Sequence, residues 1–140
     1  MTTIRPVDVN YVYQTWPLVR NYVEESFNKG LVNGTPDYTA DQVLVYLTSG
    51  QWVLVVAVDE ENNIHGAMTI SFVNYPLHRV AFITAIGGKL IVNKETFAQL
   101  KHIAKYHGAT KIQAMARPAM VRLLETCDMV PCNTLMEATI

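Results

Sequence analysis

Arg79-Val80-Ala81-Phe82-Ile83-Thr84-Ala85-Ile86-Gly87-Gly88 decides the fold, because a polar turn, a periodic run and then a second short apolar run come directly after it. Val80 to Ile86 reads as an apolar strand that passes through Gly87-Gly88. From Thr96 to His107, Phe97, Leu100, Ile103, Ala104 and His107 fall on one helical face, with Lys94, Lys101 and Lys105 on the polar side. Gly108 suits the position just past that helix. Lys111 to Met115 is a further short strand, so the stretch is a βαβ unit. A helix N-terminus that comes after a strand is where such units hold a phosphate. The turn Gly88-Lys89-Leu90-Ile91-Val92-Asn93-Lys94-Glu95 has no glycine after Gly88, so it offers the frame of a nucleotide-cofactor site without its working part.

Working outward, Trp52 to Val58 is a β-rich run too apolar for a half-exposed strand and predicts a central one. Asp59 to Asn63 is a polar hairpin turn into a second long strand, Ile64 to Val73, with Gly66 early in it. Tyr75-Pro76-Leu77-His78 breaks the pattern before Arg79, and three strands joined by short turns make an antiparallel meander. Upstream, Ile4 to Val7 predicts a short strand and Asp8 a helix cap. Trp16, Val19, Val23 and Phe27 form the stripe of a helix with Pro17 in its first turn and Gly30 at its end. Val32 to Asp37 is a turn cluster, and Thr39 caps a second helix carrying Val43, Leu44 and Leu47. Downstream, Arg117-Pro118 opens a last helix with Met120, Leu123, Leu124 and Cys127 on one face, and Asn133 to Thr139 predicts a final strand.

The chain has 140 residues, enough for a single domain with one real core. Half are hydrophobic and 16% are charged, against roughly 25% in an average soluble domain. The surface is therefore either unusually neutral or partly covered by a protein partner or by self-association. The formal net charge is −1 and the 11 Lys and Arg are scattered, which argues against direct nucleic-acid binding. The N-terminal residues have no apolar signal core and no run approaches a membrane span, so a cytoplasmic location is expected. Cys127 and Cys132 flank Pro131 at a spacing that fits neither a zinc knuckle nor a redox pair. They read as a small core residue and a strand residue. His65, His102 and His107 are scattered, so no metal site is expected.

The order β-α-α-β-β-β-α-β-α-β at this length resembles the GNAT superfamily of acyl-CoA-dependent N-acetyltransferases, over nearly the whole chain. Ile4 to Val7 looks like its first strand, and Trp52 to Phe72 like its second and third. Lys105 to Ile112 resembles the end of its third helix and the start of its fifth strand, and Arg117 to Val130 its fourth helix and following turn. The resemblance implies an α+β fold, with a mixed, mostly antiparallel sheet and about four flanking helices. It also implies a loop of the form Gln/Arg-x-x-Gly-x-Gly/Ala after the fourth strand, binding the coenzyme A pyrophosphate. On the positions that match, Gly88 stands where Gln or Arg belongs, Ile91 at the first Gly and Asn93 at the second. Ile91 is β-branched and disfavours positive φ, and Glu95 adds negative charge where an anion would dock.

The family's acid and base are missing in the same way. No carboxylate lies between Arg79 and Val92, and no tyrosine occurs after Tyr106. His78 is the remaining base candidate. The resemblance implies one of two functions. In the first, the fold is kept without catalysis or cofactor and acts through its surface, like the acetyltransferase-like components, some of them internal to the virion, that certain bacteriophages encode. In the second, an N-acetyltransferase uses acetyl-CoA through a divergent loop. Ile83 to Ile86 would then pair with the pantetheine arm, and Ile86, Gly87, Gly88, Lys89, Asn93 and Lys94 would lie near the cofactor.

Overall fold

The computed structural model describes residues 2–29, 37–89 and 92–140. The expected helix stop at Gly30, residues 32–36 of the turn cluster, and Leu90 and Ile91 of the motif loop lie outside the described residues.

Among the described residues, five strands form one sheet in consecutive order. β1 (Thr3–Pro6), β2 (Val53–Val58), β3 (Ile64–Asn74) and β4 (Arg79–Gly88) pair antiparallel, each with the next. β4 then pairs parallel with β5 (Lys111–Ala114). A parallel step needs a crossover, and α3 (Lys94–Tyr106) supplies it. The strand runs read as continuously apolar because both faces of the sheet are covered. On one face Val55, Ala57, Met68, Ile70, Ala81 and Ile83 pack with Phe97, Leu100, Ile103 and Ala104 of α3. On the other, Leu54, Val56, Val58, Ala67 and Ala85 meet Val12, Trp16, Val19 and Val23 of α1 (Val12–Lys29) and Val43 and Leu47 of α2 (Ala40–Thr48). The result is an α+β fold with a mostly antiparallel mixed sheet and, among the described residues, four α-helices, the last being α4 (Pro118–Glu125).

Burial decides the architecture and capping trims it. Leu54, Val55, Val56 and Val58 of β2 are all buried, and each such side chain contributes about 1.5–3 kcal/mol. A helix cap adds about 1 kcal/mol. The caps are in place nonetheless: Asp8 accepts from the Asn10 N–H, and Thr39 and Gln42 form a capping box on α2. Gly108 takes φ +83° after α3, the left-handed conformation expected past a helix end.

Three local expectations are corrected. Pro17 is inside α1 rather than in its first turn, because a 3-10 turn at Val9–Tyr11 leads the chain into a helix that begins at buried Val12. Pro17 and Tyr13 are both exposed, so the carbonyl left without a helical donor has access to water. Second, α4 buries none of its own residues; Leu123 is 39% exposed, while Cys127, just beyond the helix, is in the core. Third, Asn133 to Thr139 is not a strand, and every residue from Val130 onward is exposed. Met129 is the last residue to pack on the core; beyond it Pro131 lacks a donor, and among the described residues no strand pairs with the segment. Cys132 is accordingly exposed and not a strand residue.

Candidate functional site

The distinctive feature of the sheet is where β4 leaves its neighbour. β5 accompanies β4 only from Val80 to Ile83, so Thr84 to Gly88 run on without a β5 partner. At the same point the β3–β4 register jumps from Thr69↔Ala85 to Ile70↔Ile83, leaving Thr84 as a bulge. The bulge places the Thr84 hydroxyl 2.6 Å from that of buried Thr69, so both are satisfied. The open side of β4 is not wholly free, because the Ile86 N–H donates to Ser26 Oγ of α1 at 3.0 Å.

The glycine pair belongs to the end of β4 rather than to a turn. A Cβ on Gly87 would lie 2.2 Å from the Tyr22 carbonyl oxygen, so its absence lets the main chain of α1 come close. Gly88 has φ +76°, and a Cβ there would lie 2.6 Å from the His65 carbonyl oxygen and 2.8 Å from Gly66 Cα. The next N–H, that of Lys89, donates to the His65 carbonyl at 2.7 Å. Helix and strand packing therefore account for both glycines.

The N-terminus of α3, where an anion would dock, is capped from within. The Thr96 N–H donates to Asn93 Oδ1 at 2.9 Å and the Asn93 N–H to Thr96 Oγ1 at 3.0 Å. Of the amides a helix start leaves open, those of Lys94 and Glu95 lie outside this box. Asn93, Lys94 and Glu95 are all exposed, and Glu95 adds its negative charge in the first turn. Thus Asn93 holds the helix with its own carboxamide.

A groove of about 490 Å³ opens beside Gly88 and Lys89, lined also by Tyr22, Glu25 and His65. His65 Nε2 is 2.7 Å from Asp59 Oδ2 across the β2–β3 turn. That contact, with the Asn63 and Glu61 amides, holds the Asp59 carboxyl well below the usual carboxylate range. The sequence reading missed this pair; the signal was an Asp and a His at the two ends of a predicted hairpin turn. His78 is not brought to the groove. It sits exposed at the opposite end of β4, and that strand's ten residues separate it from Gly88 by roughly 30 Å. Ile86, Gly87, Gly88 and Lys89 lie together, and Asn93 and Lys94 begin α3. Among the described residues no three His, Cys, Asp or Glu side chains converge as metal ligands, and no helix is long and apolar enough to cross a membrane.

The short parallel β4–β5 pair, the crossover helix and the meander together are the fold of the GNAT acetyltransferases. A GCN5-related N-acetyltransferase from Ralstonia eutropha JMP134 superposes with a TM-score of 0.73 at 13% identity, over 99% of each chain. A predicted acetyltransferase from Clostridium acetobutylicum, crystallised with acetyl-CoA, gives 0.65 at 18% identity over 99% of this chain and 96% of its own. Glucosamine-6-phosphate N-acetyltransferase from Arabidopsis thaliana gives 0.62 at 15% identity over 99% and 98%. No protein-family model matches the chain, and no curated protein matches it in sequence. The likeness is one of fold.

Proposed function

We propose that this chain is a GNAT-fold domain that does not turn over acetyl-CoA and works as a structural or interaction component. The observation that carries this reading is that the cofactor-facing end of β4 is occupied by the protein's own groups. Tyr22 fills the space at Gly87, Ser26 takes the Ile86 N–H, and Asn93 and Thr96 cap α3. A phosphate-binding loop works by keeping such amides uncommitted. His78, the base candidate of the sequence, lies at the far end of β4 and does not reach the groove. A place in a phage particle is the specific form of this role that the sequence resemblance suggests.

One observation favours a second reading, an acetyl-CoA-dependent N-acetyltransferase with a divergent loop. The ladder between β4 and β5 ends at Ile83, and Thr84 to Gly88 are the part of β4 along which an extended pantetheine chain would pair. Calorimetric titration with acetyl-CoA separates the two. Absence of heat at millimolar cofactor is the expected result, and micromolar binding would overturn the first reading.

A further inference from the structure

The formal charge of −1 conceals a division of sign along the chain. Residues 8–61 hold 8 Asp and Glu against 2 Lys and Arg, whereas residues 79–122 hold 8 Lys and Arg against Glu95 alone. The helices of the two stretches lie on opposite faces of the sheet, α1 and α2 on one and α3 on the other. On the outer side of α1 and α2, Arg20 is held by Glu24 at 2.7 Å and by Asp41 at 2.8 Å. One cation between two carboxylates leaves that side negative, and exposed Asp37 adds to it. α2 runs back along α1, with Asp41 at Arg20 near one end and Gly50 beside Val9 at the other. Between those points Tyr13 and Val45 are 73% and 64% exposed. The outer side of α3 has the opposite sign. Lys94, Lys101 and Lys105 share one exposed stripe, and Tyr106 beside them is 84% exposed. Among the described residues none of these lysines forms an ion pair.

We infer that the α3 face of one copy docks on the α1–α2 face of the next, head to tail. An anionic ligand would answer only the lysines, whereas a second copy answers both faces at once. Lys101 meets Asp41, and Tyr106 covers Val45 and Tyr13. Lys101 and Tyr106 are about 7.5 Å apart along their helix and Asp41 and Val45 about 6 Å along theirs, so one parallel alignment of α3 on α2 serves both contacts. The exposed apolar groups then form the centre of the contact and the charges its rim. A net charge near zero leaves no overall repulsion between copies. Like faces repel, which disfavours the symmetric dimer made by either face with itself. Because the two surfaces differ, each added copy keeps one of each sign open, and the contact propagates to a ring or a filament rather than stopping at two. Neither surface includes the end of β4, so the inference does not rest on whether acetyl-CoA binds.

The test is charge reversal followed by mixing, read by light scattering and sedimentation of the full chain. In low salt the mass of the parent should rise past twice that of the chain as concentration increases. In about 1 M salt, where the Debye length is roughly 3 Å, it should return to monomer. Lys101→Glu with Lys105→Glu, and separately Asp37→Lys with Asp41→Lys, should each be monomeric alone. Mixed in equal amounts they should associate again, since the reversed α3 of one fits the reversed α2 of the other. All four positions are exposed, and circular dichroism melts establish that each variant is folded. If the lysine pair on α2 does not fold, Asp37→Asn with Asp41→Asn takes its place and should weaken association by roughly tenfold or more. A parent that is monomeric at every concentration in low salt, association that survives high salt, or a mixture of folded variants that stays monomeric would each overturn the inference, as would an unweakened asparagine variant. None of these readouts involves coenzyme A, so the outcome is independent of the cofactor titration.

Discussion

Gly87→Ala tests whether the glycine pair serves packing or a phosphate. The Cβ would sit 2.2 Å from the Tyr22 carbonyl oxygen and 2.8 Å from its carbon, with the oxygen more than 1 Å inside the 3.4 Å at which ordinary contact begins. Main chain meets main chain there, so no rotamer change relieves it. α1 cannot easily retreat, because it carries Val19 and Val23, 0% and 1% exposed, into the core. Overpacking of this kind costs about 1–3 kcal/mol, and with no flexible side chain to yield, the upper end is expected. At this chain length about 3 kcal/mol lowers the melting temperature by roughly 10 °C. Gly108→Ala is the control: its φ is +83°, but the nearest atom to a Cβ is 3.7 Å away, so it bears the left-handed backbone penalty alone, about 1–2 kcal/mol. Urea and thermal denaturation of the ligand-free proteins, monitored by circular dichroism, measure both. A Tyr22→Ala background should not rescue Gly87→Ala, since the clash is with the carbonyl. If Gly87→Ala unfolds within about 0.5 kcal/mol of the parent, the range of an inconsequential surface change, the packing explanation is wrong.

Three further outcomes are expected. Asn93→Ala should lose about 1 kcal/mol in the same denaturation assay, with Asn93→Asp retaining most of it, because the side chain caps α3 through the Thr96 N–H. His107 is held below its ordinary value by burial and then by the Arg79 charge, so the fold favours its neutral form. Its contribution to stability is present above the unfolded value of about 6.5 and is lost as the pH falls from there through the lower folded value, and His107→Gln should flatten that part of a melting-temperature-against-pH curve. A thiol reagent should modify Cys132 at once in the native protein and Cys127 only on unfolding, since the first is exposed and the second buried; equal rates would show the core around α4 to be open.

The meander and the βαβ unit were legible because their signals are periodic. Runs such as Trp52 to Val58 and the face of Phe97, Leu100 and Ile103 state both the element and the side that packs. The errors came where local composition carries propensity without a partner. Asn133 to Thr139 has strand composition, yet a strand forms only against an edge, and whether β5 receives it is a question of tertiary geometry. Met120, Leu123 and Leu124 have helical spacing, but α4 buries none of them. At the candidate site, Gly87 and Gly88 were visible while Tyr22 and Ser26, which explain Gly87 and occupy Ile86, lie far earlier in the chain, Ser26 by 60 residues from Ile86. No local pattern carries a contact of that separation, and the Asp59–His65 pair was within reach only by folding the hairpin first.

Under the proposed function, the hydrogen bonds at Lys89, Asn93 and Thr96 are what opposes coenzyme A binding. An anion bound here would compete for the amides of Lys89, Asn93 and Thr96, which donate to the His65 carbonyl, Thr96 Oγ1 and Asn93 Oδ1. Each such bond contributes about 0.5–1.5 kcal/mol net. Displacing all three would therefore weaken phosphate binding by on the order of ten- to a thousand-fold, at about 1.4 kcal/mol for each factor of ten. That moves a micromolar cofactor toward millimolar before the Glu95 charge is considered. The frame survives because burial between α1, the sheet and α3 holds it independently of the loop, and burial is indifferent to whether the amides at its edge face a ligand or the protein itself. Replacing Asn93 and Thr96 together by glycine and alanine would free two of the three amides. Coenzyme A affinity should then rise even as the helix loses its cap, and unchanged affinity would show that the cap is not what excludes the cofactor.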